Sequence, residues 1–104
     1  MCFPGGTQIF DWKYDSEASR VETIWYWNSL TLMRKIGDTI FLNSNSQFYN
    51  RIWEYNETNC GLIVFDVKSN DTGTFEVSVE LTGGTYYSAT QNMTVTEDAG
   101  MFCE

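Results

Sequence analysis

The stretch SNDTGTFEVSV, residues 69–79, constrains the fold more than any other part of the chain. Phe75, Val77 and Val79 alternate with Glu76, Ser78 and Glu80, the pattern of a strand buried on one face and wet on the other. Asp71-Thr72-Gly73 immediately before it reads as a tight turn, because Asp bonds to nearby backbone and Gly tolerates unusual dihedrals. A turn followed two residues after its Gly by an inward aromatic is the kind of corner through which a β-sandwich enters such a strand.

The rest of the chain has the same grammar. Alternating runs cover residues 6–14, 21–28, 31–35, 38–43, 48–55, 61–67, 73–81 and 84–96, separated by polar or Gly-containing turns. No stretch shows helical i, i+3, i+4, i+7 spacing, so the class is all-β. With 104 residues, 42% of them hydrophobic, the chain is long enough to bury one core. It is read as a single domain, 1–104, with tails at 1–5 and 97–104.

Eight such strands indicate a sandwich, and the spacing refines it. Trp25 precedes Val77 by the separation expected between the core Trp of strand C and the F-strand cysteine position of an immunoglobulin variable-type (V-type) domain. Residues 31–35 and 38–43 then become the extra strands C′ and C″. The B-strand cysteine position falls at Trp12, with Asp11 or Phe10 as off-by-one alternatives. Trp12 against Val77, beside Trp25, would fill the space of the missing inter-sheet disulfide, and apolar burial at roughly 25 cal/mol per Å2 would supply the stabilisation. Trp12, Trp25 and Trp53 are all expected in the core.

Residues 60–80, CGLIVFDVKSNDTGTFEVSVE, resemble the E and F strands of the N-terminal V-type domains of the signalling lymphocytic activation molecule (SLAM) family and its lymphocyte adhesion relatives. Leu62, Val64 and Val67 match the inward positions, and Asp71, Gly73 and Phe75 match the corner. FYNRIW, residues 48–53, is similar to the D strand. The chain departs from that pattern in having Phe75 where Tyr is usual and strand A short or absent. The resemblance implies a non-enzymatic ectodomain that binds a host immune protein. Such a protein is either a host adhesion receptor or a diverged, cytomegalovirus-type herpesviral immunoevasin, with a SLAM-type receptor or class I histocompatibility molecule as partner. The alternative is a structural domain of an adhesion or scaffold glycoprotein without an immune partner. In the family the exposed face of the G-F-C-C′-C″ sheet binds the partner. Carried over, that face comprises Tyr26, Asn28, Arg34, Lys35, Glu76, Ser78, Glu80 and Tyr86.

Charge and composition exclude several other functions. Fourteen acidic against six basic residues give a net charge of −8, which repels phosphate backbones and anionic membranes. Without a histidine, His-based acid–base catalysis and the common zinc sites are absent. The acidic pairs Asp11/Asp15 and Glu97/Asp98 read as solvated surface, so no enzyme, metal or cofactor is expected. Three sequons, at Asn56, Asn70 and Asn92, suit a glycoprotein ectodomain exposed outside the cell or in the endoplasmic reticulum lumen. No apolar run reaches the ~18 residues of a membrane span and no signal peptide is seen, so the chain is either cytosolic or an excised piece of something larger. The sequons favour an excised ectodomain of a secreted or membrane-anchored glycoprotein.

Three cysteines allow three single bridges. In a V-type sandwich the start of B and the end of G share one pole, and the D–E turn holding Cys60 lies at the other. A bridge needs Cα atoms within about 7 Å, so Cys2–Cys103 is expected, leaving Cys60 free or joined to another chain.

Overall fold

The computed structural model describes residues 4–14, 18–56 and 59–95. Among these lie eight strands: β1 (Gln8–Phe10), β2 (Arg20–Trp27), β3 (Leu30–Ile36), β4 (Thr39–Leu42), β5 (Ile52–Tyr55), β6 (Gly61–Val64), β7 (Gly73–Leu81) and β8 (Tyr86–Met93). A single 3-10 turn, Ser69–Asp71, precedes β7. The strands form two sheets, in the orders β1-β6-β5 and β4-β3-β2-β7-β8. Every pairing is antiparallel. The described residues contain no helix long and apolar enough to cross a membrane.

Alternation decides which side chains meet between the sheets. In β7, Phe75, Val77 and Val79 are fully buried while Glu76, Ser78 and Glu80 turn outward. Trp25 pairs with Val77 in register, and both are fully buried, as their spacing predicts. The Trp25 indole N–H, which burial would otherwise orphan, donates to the Cys60 carbonyl at 2.9 Å.

Neither β1 nor β7 contains a cysteine. In its place an aromatic column runs through the inter-sheet space. Trp12 stacks on Phe10 (4.9 Å between centroids), Phe10 on Phe75 (4.8 Å), and Phe48 packs edge-on against both Phe75 (5.4 Å) and Trp27 (5.2 Å). Aromatic pairs of this geometry contribute ~0.5–1.5 kcal/mol each beyond their burial. The ring stacked on the β7 corner aromatic is thus Phe10, with Trp12 beyond it.

Four expectations need correction. The first strand is Gln8–Phe10, not residues 6–14: Phe10 pairs with Leu62, and β6 begins one residue away at Gly61, so the chain runs out of partner. A Cβ at Gly61 would lie 2.8 Å from the Phe10 carbonyl and 2.7 Å from that of Tyr55, which is why glycine opens β6. The D-like run begins at Ile52, because residues 48–51 form turns. That register puts Ile52 and Glu54 inside and Trp53 outside, 44% exposed, so Trp53 is not a core residue. The final strand spans Tyr86–Met93 rather than 84–96, its start set by the turn through Gly83 and Gly84, both at positive φ. Residues 1–3 and 96–104, and with them Cys2 and Cys103, lie outside the described residues.

Candidate functional site: the outer face of the five-stranded sheet

Cross-strand partners share a face, so the registers map this surface directly. Across β2 and β7, Tyr26 lies beside Glu76, Ile24 beside Ser78 and Glu22 beside Glu80. Across β7 and β8, Glu76 lies beside Thr90, Ser78 beside Ser88 and Glu80 beside Tyr86. On the other flank Arg34 joins Ile24 to Phe41, and Ile36 joins Glu22 to Thr39. Tyr86 is 69% exposed and Phe41 53%, with Ile36 also open to solvent. The surface therefore mixes large apolar groups with carboxylates, as interface patches do.

Of the eight residues assigned to this face from sequence, Tyr26, Arg34, Glu76, Ser78, Glu80 and Tyr86 lie on it together. Lys35 does not. Arg34 and Lys35 are neighbours in one strand and must point to opposite sides. Lys35 is buried, and its ammonium meets both Glu54 carboxylate oxygens, at 3.0 and 2.9 Å. Asn28 sits at the foot of the face but is occupied. At φ 47° it and Ser29 (φ 69°) make the tight turn from β2 to β3. Its side-chain oxygen accepts from the Thr74 N–H at 2.9 Å, and its own N–H donates to the Thr74 carbonyl at 2.9 Å.

The face has few internal ion pairs. Arg34 Nε donates to Glu22 Oε2 at 2.6 Å. Glu76 and Glu80 have no ion-pair partner among the described residues. Burial raises the Tyr26 hydroxyl above its ordinary pKa, and the nearby Glu76 and Glu22 carboxylates push it further. At the foot, Thr72, Gly73, Thr74, Asn92, Met93 and Thr94 line a shallow depression of hydroxyls and an amide, with no acid–base pair. No group of three or more His, Cys, Asp or Glu among the described residues could hold a metal ion.

The sequon asparagines are all exposed. Asn56 closes β5 at φ 62°, and Asn70 lies in the 3-10 turn. Asn92 pairs with Thr74 on the five-stranded face itself, where its Oδ1 accepts from the Thr74 hydroxyl at 2.7 Å.

Beneath the face, one corner carries a feature missed from sequence. Asp71 is fully buried and receives Arg51 Nη1 at 2.8 Å and Nη2 at 3.0 Å, the Lys68 N–H at 2.8 Å and Gln47 Nε2 at 2.8 Å. Burial alone would raise its pKa; these donors override that and hold the carboxyl below the ordinary carboxylate range. An Arg just ahead of the β5 run and an Asp in Asp-x-Gly were both visible, but nothing local links them. Gly73 belongs to the same corner: a Cβ there would lie 2.6 Å from the Trp27 Nε1, which instead donates to the Asp71 carbonyl.

Two antiparallel sheets of three and five strands, with a buried Trp on β2 beside β7 in the larger sheet, match solved structures over nearly the whole chain. The first immunoglobulin-like domain of human CD48 superposes with a TM-score of 0.79 at 12% identity, over 98% of this chain and 84% of that one. The fold is that of an immunoglobulin V-type domain. In its terms β1 is strand B, β2 to β4 are C, C′ and C″, β5 and β6 are D and E, and β7 and β8 are F and G. The V-type sandwich of CD84 matches with a TM-score of 0.73 at 15% identity, over 92% of this chain and 94% of that one. The CD2-binding domain of CD58 matches at 0.69 and 18%, over 92% of this chain and 52% of that one. At such identities the likeness concerns the fold alone. No family model and no curated protein matches the sequence.

Proposed function

We propose that this V-type domain is a non-enzymatic recognition ectodomain that binds a protein on another cell through the G-F-C-C′-C″ face. The observation that carries this is the register itself, which gathers Tyr86, Tyr26, Phe41 and Ile36 with three carboxylates and one arginine on one open sheet face. Exposed aromatics with a polar surround are what binding anchors require. CD58, which shares the fold, is described as carrying a CD2-binding domain, so this architecture can serve recognition between proteins. The partner is an immune-cell surface protein, a SLAM-type receptor or a class I histocompatibility molecule, and the domain acts as a host adhesion module or a viral decoy of one. The three sequons, at Asn56, Asn70 and Asn92, support a location at the cell surface. A glycan on Asn92 would cover the foot of the face and leave the end around Tyr86, Glu80 and Ile36 for contact.

The domain, displayed as a tetramer, is tested for staining of leukocytes. Tyr86→Ala with Phe41→Ala should abolish staining, whereas Trp53→Ala on the opposite sheet should not. The converse would favour the scaffold reading, in which the outward row of Ile9 and Trp53, both exposed, with half-buried Ile63 between them on the three-stranded sheet packs on a neighbouring domain.

A further inference from the structure

We propose that the partner of the G-F-C-C′-C″ face is a basic protein surface, rich in Lys and Arg, and not a second copy of this chain. This deepens the proposed function and rests on it. Among the described residues the face carries four formal charges, Glu22, Arg34, Glu76 and Glu80, in the registers given above. Arg34 is spent on Glu22. Lys35, which the sequence would have added as a second base, is inside and spent on Glu54. What remains unbalanced is the outward edge of strand F, where Glu76 and Glu80 flank Ser78 without an intervening base. Glu80 also has Glu22 as its direct cross-strand neighbour, and Arg34 offsets only one of those two carboxylates.

Two consequences follow from Coulomb's law. A copy docking face to face would set one net-negative face against another, with its arginine already engaged by Glu22. With the axis through strand F the acidic strip would meet its own image, and like charges brought together and desolvated oppose association. A partner offering Lys or Arg opposite strand F would satisfy both carboxylates, while Phe41, Ile36 and Tyr86 supply apolar contact at the margins. The chain's net charge of −8 acts in the same direction at long range, speeding encounter with a basic surface.

The test uses the whole chain against an array of purified leukocyte ectodomains, by surface plasmon resonance at about 50 and about 300 mM NaCl, either side of the physiological screening regime. Expected is a bound ectodomain whose association rate falls about tenfold or more at the higher salt. Glu76→Gln with Glu80→Gln should slow association comparably and remove most of that salt dependence. Sedimentation should find the chain monomeric at both salts. Binding that needs Tyr86 but ignores salt and both glutamates would overturn the inference and leave the functional reading standing. Dimers that Tyr86→Ala dissolves would do the same. Binding indifferent to Tyr86→Ala, or no binding across the array, would overturn the functional reading and this inference with it.

Discussion

Two buried ion pairs, Arg51–Asp71 and Lys35–Glu54, are alike in chemistry and unlike in surroundings. Asp71 takes four hydrogen bonds. Arg51 has further acceptors in the carbonyls of Phe65 (3.3 Å), Asp66 (2.9 Å) and Gln47 (3.2 Å), and its guanidinium lies 5.1 Å from the Phe48 ring. The result ties the turn before β5, the chain after β6 and the entry to β7 into one corner. Lys35 and Glu54 instead reach across between the two sheets, bonded to each other. Thr23, the register partner of Lys35, has a buried hydroxyl without a hydrogen-bond partner among the described residues. Removing charges from water costs several kcal/mol per ion, and only a well-furnished pair recovers it. The first pair should therefore be irreplaceable and the second replaceable.

The largest effect should come from the furnished corner. Arg51→Met strands Asp71 as a buried, uncompensated carboxylate, and urea unfolding should show a loss of about 3–5 kcal/mol. Adding Asp71→Leu should not restore stability, because the Lys68 N–H and Gln47 amide would remain without their acceptor. Full recovery in that double variant would show the network to be dispensable. The corner also has a pH signature. The folded Asp71 carboxyl titrates below its ordinary value of 3.8, so its contribution is complete above about pH 4 and is lost as pH falls through the lower folded value. Asp71→Asn should flatten that part of the acid limb, and an unchanged limb would deny the depressed pKa.

The sheet-bridging pair comes next. Lys35→Met alone should cost about 3 kcal/mol by leaving Glu54 buried and charged. Lys35→Met with Glu54→Leu should return to the wild-type value or exceed it, because apolar groups pack there without desolvation. A double variant as weak as the single one would mean that the two pairs differ less than their partners suggest.

These contrasts also mark what the sequence could reveal. Strands β2 and β7 were legible because each repeats its pattern for eight or nine residues and because Trp25 and Val77 fix the register between them. The outer face was legible for the same reason, at six of eight positions. Lys35 failed because two adjacent cations look equally solvated until a partner on the other sheet is known. Trp53 failed because β5 is only four residues long and hydropathy alone puts an indole inside. The actual register buries Ile52 and Glu54 together, and Glu54 meets Lys35 from the other sheet, a partner that nothing local announces. Arg51 and Asp71 likewise meet only after folding.

A smaller effect concerns Cys60. Its side chain is fully buried, and burial pushes the thiol up to about 11, although Arg20 opposes the shift. The buried, protonated thiol is a poor nucleophile. Native protein should react with a thiol reagent far more slowly at Cys60 than urea-unfolded protein does, as peptide mapping would show. Equal rates would mean that this pole of the sandwich opens readily.

The smallest expected change is the most pointed test of the comparison. Thr23 and Val have nearly the same shape, both favour strands, and position 23 is fully buried in β2. If the hydroxyl is an orphan, Thr23→Val removes a desolvated polar atom and breaks no bond, so stability should rise by up to about 1 kcal/mol. If stability falls instead, the hydroxyl is bonded through an ordered water, and the nearest charged group in register is the Lys35 ammonium. Lys35 would then have a second acceptor, and the sparse pair would begin to resemble the furnished one. Repeating Thr23→Val in the Lys35→Met, Glu54→Leu background separates the cases. An orphan hydroxyl gives the same small gain in both backgrounds, whereas a water-linked one gives a loss only while Lys35 is present.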